Sequence, residues 1–205
     1  MQRRKLDRRV VRTRKAIKDA FIALLYEKDL SDITITDIVD CSDVNRSTFY
    51  AHFHDKENLI DCLVDELIAD LIASYQTTYQ PFTKQNRGFP TRAIEAMFEF
   101  VSEHADTFKI LLNTMKVPQF TPILYASLYK YAVEQINELR GAEYDLNVHY
   151  GFYANYLAST FISFIHYWLM NKDRKYKPEY IAEEYMKVLL SNPLSSYMRG
   201  RAVSK

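Results

Sequence analysis

The chain has 205 residues, 48% hydrophobic and 26% charged, with a formal net charge of +1. With 14% aromatic residues it is no disordered polymer, and its length bounds it to one or two domains. Its two cysteines, Cys41 and Cys62, show neither metal-ligand spacing nor a disulfide framework, and they read as thiols buried in helices of a reducing cytoplasm.

Charge is unevenly spread. Residues 1–15 hold eight basic side chains (Arg3, Arg4, Lys5, Arg8, Arg9, Arg12, Arg14, Lys15) and one acid, Asp7, which makes +7 there and −6 in the remainder. One reading is an arm that binds a polyanion, and the other is a solvated tail. No apolar run follows these charges, so no secretory signal is predicted. A first helix is predicted over 13–25, where Ile17, Phe21, Leu24 and Leu25 share one face.

The next stretch, 33–60, carries the functional signal. Thr34 stands where an N-cap belongs, and Asp37 three residues on completes a capping box. Ile35, Ile38 and Val39 then fall on one helical face. Ser42, Asp43 and Val44 form a turn, with Asp43 at a left-handed position that Asp tolerates better than most residues. Asn45 caps the following helix. Phe49 and Phe53, spaced i, i+4, turn inward together, which leaves Arg46, Ser47, Thr48 and Tyr50 nearer the outside. Asp55 caps a further helix that begins at Lys56. Two short helices joined by a tight turn are a helix-turn-helix, a module that lays its second helix in the DNA major groove. With such a helix nearby, the basic arm reads better as a DNA-binding segment than as a tail.

These residues resemble the TetR/AcrR family of transcriptional regulators. The likeness runs through 13–25, then Thr34, Asp37, Ile38 and Val39, then Val44 to Phe53 as recognition helix, and Asp55 to Leu59 as the start of the fourth helix. Thr48-Phe49-Tyr50 followed by His52-Phe53, with Lys56 beyond, is its most specific string. The chain departs from the family at Asp43, where Gly is usual, and at Val39, where Ala is usual. The resemblance implies an all-α fold: a three-helix DNA-binding domain over 1–55 and a six-helix effector-binding and dimerisation domain over 56–205. It implies that Thr34, Arg46, Ser47, Thr48, Tyr50, His52 and Lys56 form the DNA-binding set.

The remainder reads as helices throughout. They are predicted over 56–79, 91–104, 106–115, 121–141, 146–170 and 178–190. Pro81, Gly88 and Pro90 mark a loop at 80–90, and 172–177 form a polar hinge. Thr121 and Pro122 read as a cap and first helical residue. From 152 to 170 there is no acid, Lys or Arg. A membrane span fits that length, but Asn155, Ser159, Thr160, Ser163 and His166 interrupt the segment, and a helix buried in a core or interface fits better. Gly151, Ala154, Ala158 and Ser159 form a small-residue strip. By the family resemblance, 146–170 and 178–190 pair with their copies in a homodimer, which reads a palindromic operator.

The aromatic-rich centre leaves two readings open. Phe98, Phe108, Met115, Phe120, Tyr125, Tyr129, Tyr153, Tyr156 and Phe161 either pack a core or line a mainly apolar pocket for a small apolar or aromatic effector. His52, His54, His104, His149 and His166 form no metal or catalytic pattern, and no phosphate loop or nucleophile motif is present. No cofactor, no metal and no catalysis are predicted. The function expected is a cytoplasmic, DNA-binding transcriptional regulator, a repressor by family habit. The alternatives are an activator of the same fold, or a partner-binding adaptor that does not itself bind DNA.

Overall fold

The computed structural model describes residues 8–79, 90–141, 148–171 and 176–190. Among these residues there are nine α-helices and no strands: α1 Arg8–Glu27, α2 Ile35–Ser42, α3 Arg46–His52, α4 Lys56–Thr78, α5 Thr91–Glu103, α6 Ala105–Leu111, α7 Phe120–Gly141, α8 Tyr150–Met170 and α9 Pro178–Leu190. A 3₁₀ turn, Leu30–Asp32, lies between α1 and α2.

Two compact units divide the chain. The first runs to Ile68 and also takes in Ile110–Phe120; the second comprises Ala69–Lys109 and the chain from Thr121. The boundary expected at 55/56 lies inside the first of these units. The first half of α4 belongs with the helix-turn-helix, because one continuous helix can bury its two halves in different cores.

In the first unit, α1 packs on α2, and α2 on α3. Ile17, Phe21, Leu25, Ile38, Phe49 and Leu59 are fully buried. Helix α1 is longer than periodicity suggested. It begins at Arg8, so Arg8, Arg9 and Arg12 ride on the same helix as Arg14 and Lys15. Arg and Val continue a helix without a breaker, and no Gly or Pro stops it. Arg3, Arg4, Lys5 and Asp7 lie outside the described residues. The cysteines also depart from expectation: Cys41 is exposed and Cys62 half-buried.

In the second unit, α9 packs on α5 and α8. Its centre is aromatic. The Phe98 ring lies 4.9 Å from that of Phe161 and 5.6 Å from that of Tyr185, both edge-on or tilted. The Trp168 indole N–H donates to the Tyr176 carbonyl oxygen at 3.1 Å, so its burial leaves no donor unmade. Helix α7 starts one residue before the anticipated cap, which puts Pro122 third. That is harmless, since the first N–H groups of a helix have no intrahelical acceptor. Helix α6 ends at Leu111, short of 115, where the Asn113 side chain accepts from the Met115 N–H and turns the chain. His149 caps α8, its Nδ1 accepting from the Gly151 N–H at 3.2 Å. Residues 142–147, where that helix was expected to begin, lie outside the described set, as do 80–89 and 172–175 of the predicted loop and hinge.

Helix α8 is buried on one side only. Ala154, Ala158, Phe161, Ile165 and Trp168 face inward, while Phe152 (73% exposed), Tyr156, Tyr167 (67%) and Met170 stand outward. Of the small-residue strip, Ala154 and Ala158 thus serve packing inside the chain, and Ser159 is on the outer face. Among the described residues no helix is long and apolar enough to cross a membrane.

Candidate nucleic-acid interface

The helix-turn-helix is held by bonds that span three or four residues. Thr34 Oγ1 accepts from the Asp37 N–H at 3.1 Å, and Asp37 Oδ2 accepts from the Thr34 N–H at 2.8 Å. The box is reinforced by Lys28, whose ammonium reaches Asp37 Oδ1 at 2.7 Å. That ion pair first, then the Thr34 donors, hold the Asp37 carboxyl well below the usual carboxylate range. Asp43 closes α2 in the left-handed conformation, φ 53° and ψ 42°, and is the only described non-glycine residue with positive φ. Asn45 then caps α3: its Oδ1 accepts from the Thr48 N–H, the Ser47 hydroxyl and the Thr48 hydroxyl, each at 2.7 Å.

This capping sets what α3 presents. Phe49 is fully buried, its ring 5.9 Å from that of the buried Phe53. Arg46, Ser47 and Tyr50 are exposed on the opposite side, and Thr48 is half-buried. The Arg46 guanidinium lies 5.9 Å from the Tyr50 ring centroid, a cation–π arrangement that stiffens a long side chain at little cost. Thr34 is exposed at the start of α2 and His52 half-buried at the end of α3. Lys56 is half-buried, and its ammonium donates to the carbonyl oxygens of Leu30 at 2.6 Å and Ile33 at 2.9 Å. The anticipated residues therefore come from the start of α2, from α3 and from the start of α4. The Thr34 hydroxyl is engaged by Asp37, and the Lys56 ammonium donates to two carbonyl oxygens of the protein.

Sequence reading missed Arg14. Counted within the basic arm, it is instead a strut: Nη1 donates to the His52 carbonyl oxygen at 3.1 Å, and Nη2 to Glu66 at 2.9 Å. Lys18 also bonds Glu66. Burial opposes ionisation of Glu66, but Lys18 and Arg14 outweigh it and hold the carboxyl below its ordinary value. The signal was there, because Arg14, Ile17 and Phe21 fall on one face of α1.

The aromatic residues proposed for a pocket divide. Phe98, Phe108, Phe120 and Phe161 are buried. Tyr125 and Tyr129 stack at 6.1 Å, and the Tyr125 hydroxyl donates to Asn155 Oδ1 at 2.8 Å. Tyr153 is half-buried, and burial raises its hydroxyl's pKa. The Tyr156 hydroxyl donates to the Val188 carbonyl oxygen at 3.2 Å. Met115 does not join them. It lies in the stretch that packs with the first unit and is 88% exposed, because the Asn113 turn throws it to the surface. Among the described residues one carboxylate group, Glu95, Glu99 and Glu179, could hold a metal ion, but Arg92 already bridges Glu95 and Glu99 at 2.9 Å each.

Comparison with known proteins places this geometry. Residues 17–63 match the family described as bacterial regulatory proteins, tetR family, and residues 90–191 match the transcriptional regulator C-terminal region. The chain is 28% identical over 190 residues to the HTH-type transcriptional regulator YxbF of Bacillus subtilis, covering 91% of this chain and 47% of that protein. The chain thus spans about half the length of that relative. A TetR transcriptional regulator from Streptococcus agalactiae is similar over 89% of this chain and 96% of its own, at 27% identity and a TM-score of 0.61. A TetR-family regulator from Syntrophomonas wolfei shares the fold at 18% identity, with a TM-score of 0.71 over 88% of this chain and 96% of its own. The chain belongs to the TetR family, DNA-binding regulators of transcription and not enzymes.

Proposed function

We propose that this regulator is a cytoplasmic, homodimeric repressor that leaves a palindromic operator when a small apolar or aromatic effector binds its C-terminal domain. The observation that carries the DNA half is α3 itself, a capped helix anchored by buried Phe49 with Arg46, Ser47 and Tyr50 outward. In this reading Arg46 and Thr48 contact base edges, and Thr34, Ser47, Tyr50, His52 and Lys56 position the phosphate backbone. Lys56 acts from the first turn of α4, where the positive end of the helix favours an anion. The outward apolar stripe of α8 supports a dimer formed through α8 and α9, and two-fold symmetry suits a palindrome. Tyr125, Tyr129, Tyr153 and Tyr156 supply hydroxyls for an effector beside the apolar Phe98 and Phe108. Helix α4 carries the signal, since it is continuous from one unit into the other.

Selection of bound duplexes from a random library tests this directly. A two-fold symmetric motif with half-sites about one helical turn apart, or slightly more, is expected. Recovery of no enriched sequence sinks it.

A further inference from the structure

The connector that follows α1 is met by two lysines from elsewhere in the chain. Lys56 holds Leu30 and Ile33. Lys116 holds the nearer end: its ammonium donates to the Lys28 carbonyl oxygen at 2.8 Å and to Asp29 Oδ1 at 2.7 Å. Its side chain is 19% exposed against 69% for Asp29, so the part-buried member of this grip is the bond to the Lys28 carbonyl oxygen, and the Asp29 pair stands in solvent. Val117 beside it is fully buried and seats the turn. The Lys28 side chain in turn reaches Asp37, which closes the capping box with Thr34. A line of charge-assisted bonds therefore runs from Lys116 to the first turn of α2.

The chain position of Lys116 gives this line its meaning. Ile110–Phe120 pack with the first unit, yet the chain enters this stretch from Lys109 and leaves it at Thr121, both of the second. We propose that Lys116 is a positioning residue for operator binding. By gripping the Lys28–Asp29 junction it fixes where α2, and with it α3, stands against α1. It also gives the second unit a second covalent route to the helix-turn-helix, besides α4. A shift of α6 or of the start of α7 that withdraws Lys116 frees the junction and loosens the reading head. This inference rests on the DNA-binding reading above and adds a residue outside the DNA-contacting set.

The test uses the full chain and a duplex selected by the wild type from a random library, with a scrambled duplex of equal length beside it. Lys116→Met keeps the aliphatic stem and removes the donors. It is expected to weaken binding to the selected duplex by roughly 5- to 30-fold, with the scrambled duplex changed less than about twofold. Lys116→Arg should restore most of the loss. Hydrogen exchange at the amides of 28–37 should quicken in Lys116→Met. A purely structural role would lower the melting temperature and the active fraction, but not the ratio of selected to scrambled affinity. Asp29→Asn should lose less, and should add little in the Lys116→Met background. If Lys116→Met does not fold, Asp29→Asn decides alone: a lower ratio supports the proposal and an unchanged ratio overturns it. Binding within twofold of wild type, or equal losses on both duplexes, also overturns it. A wild type that selects no duplex overturns the DNA-binding reading and this inference with it, whereas a selecting wild type with an unaffected Lys116→Met overturns this inference alone.

Discussion

The Arg14 guanidinium lies 4.5 Å from the centroid of the Phe53 ring. A cation from the first turns of α1 thus stacks on the aromatic residue that ends the recognition helix, while its nitrogens bond His52 and Glu66. The planar fork does what a lysine cannot, because it stacks and donates in two directions at once. Arg14→Lys should therefore destabilise the chain, and Arg14→Ala should cost about 2 kcal/mol as the stacking and the charge-assisted bonds disappear. Urea denaturation followed by circular dichroism checks this, and an unchanged midpoint for both variants refutes the strut.

Arg46 and Arg12 should fail in different ways. Arg46→Ala is expected to cost roughly 1–3 kcal/mol on the selected duplex and to relax preference at one base position. Arg8, Arg9 and Arg12, changed together to Gln, should leave the selected motif intact. The salt dependence of log K should flatten by at most about 0.9 for each phosphate that these arginines neutralise in the wild type. Repeating the library selection with each variant, and titrating salt, separates the two. A relaxed motif in the triple variant would assign α1 a role in base reading.

Asp43 offers a gain. It holds φ at 53°, where Cβ costs energy that Gly does not incur. Asp43→Gly should raise stability by up to about 1 kcal/mol, and Asp43→Val should lower it by more than that. Thermal melting of the two variants gives the comparison, and equal melting temperatures would mean the backbone is unstrained.

Acid should unfold the first unit early. Asp37, held by Lys28 and the Thr34 donors, and Glu66, where Lys18 and Arg14 overcome the cost of burial, both ionise more readily folded than unfolded. Their stabilisation is therefore complete above the ordinary carboxylate range, about pH 4 to 4.5, and is lost as pH falls through the lower folded values. The urea midpoint should drop as pH falls below that range. Asp37→Asn should remove part of the drop; an identical pH profile would show that other carboxylates govern it.

The outer face of α8 makes the dimer testable. Tyr167 is 67% exposed and Phe152 73% exposed on that face. Tyr167→Glu should put charge into an apolar contact and shift sedimentation from dimer to monomer, with helix content unchanged. A dimer of wild-type strength in that variant would move the interface elsewhere.

The sequence by itself determined the helix-turn-helix nearly residue by residue. Its capping box at Thr34 and Asp37, the left-handed Asp43 and the Asn45 cap are bonds between neighbours three or four residues apart, so local chemistry suffices to write them. Helix ends were less legible, because α1 begins at Arg8 and α6 stops at Leu111 for reasons that periodicity does not encode. Tertiary structure alone decided which polar side chains hold the module together. Lys56 and Leu30 are 26 residues apart, Arg14 and His52 are 38 apart, and Lys116 and Lys28 are 88 apart. Tertiary structure alone also turned Ala154 and Ala158 inward. A side chain's periodicity marks the face it lies on, but the carbonyl or ring it finally meets depends on how distant segments pack.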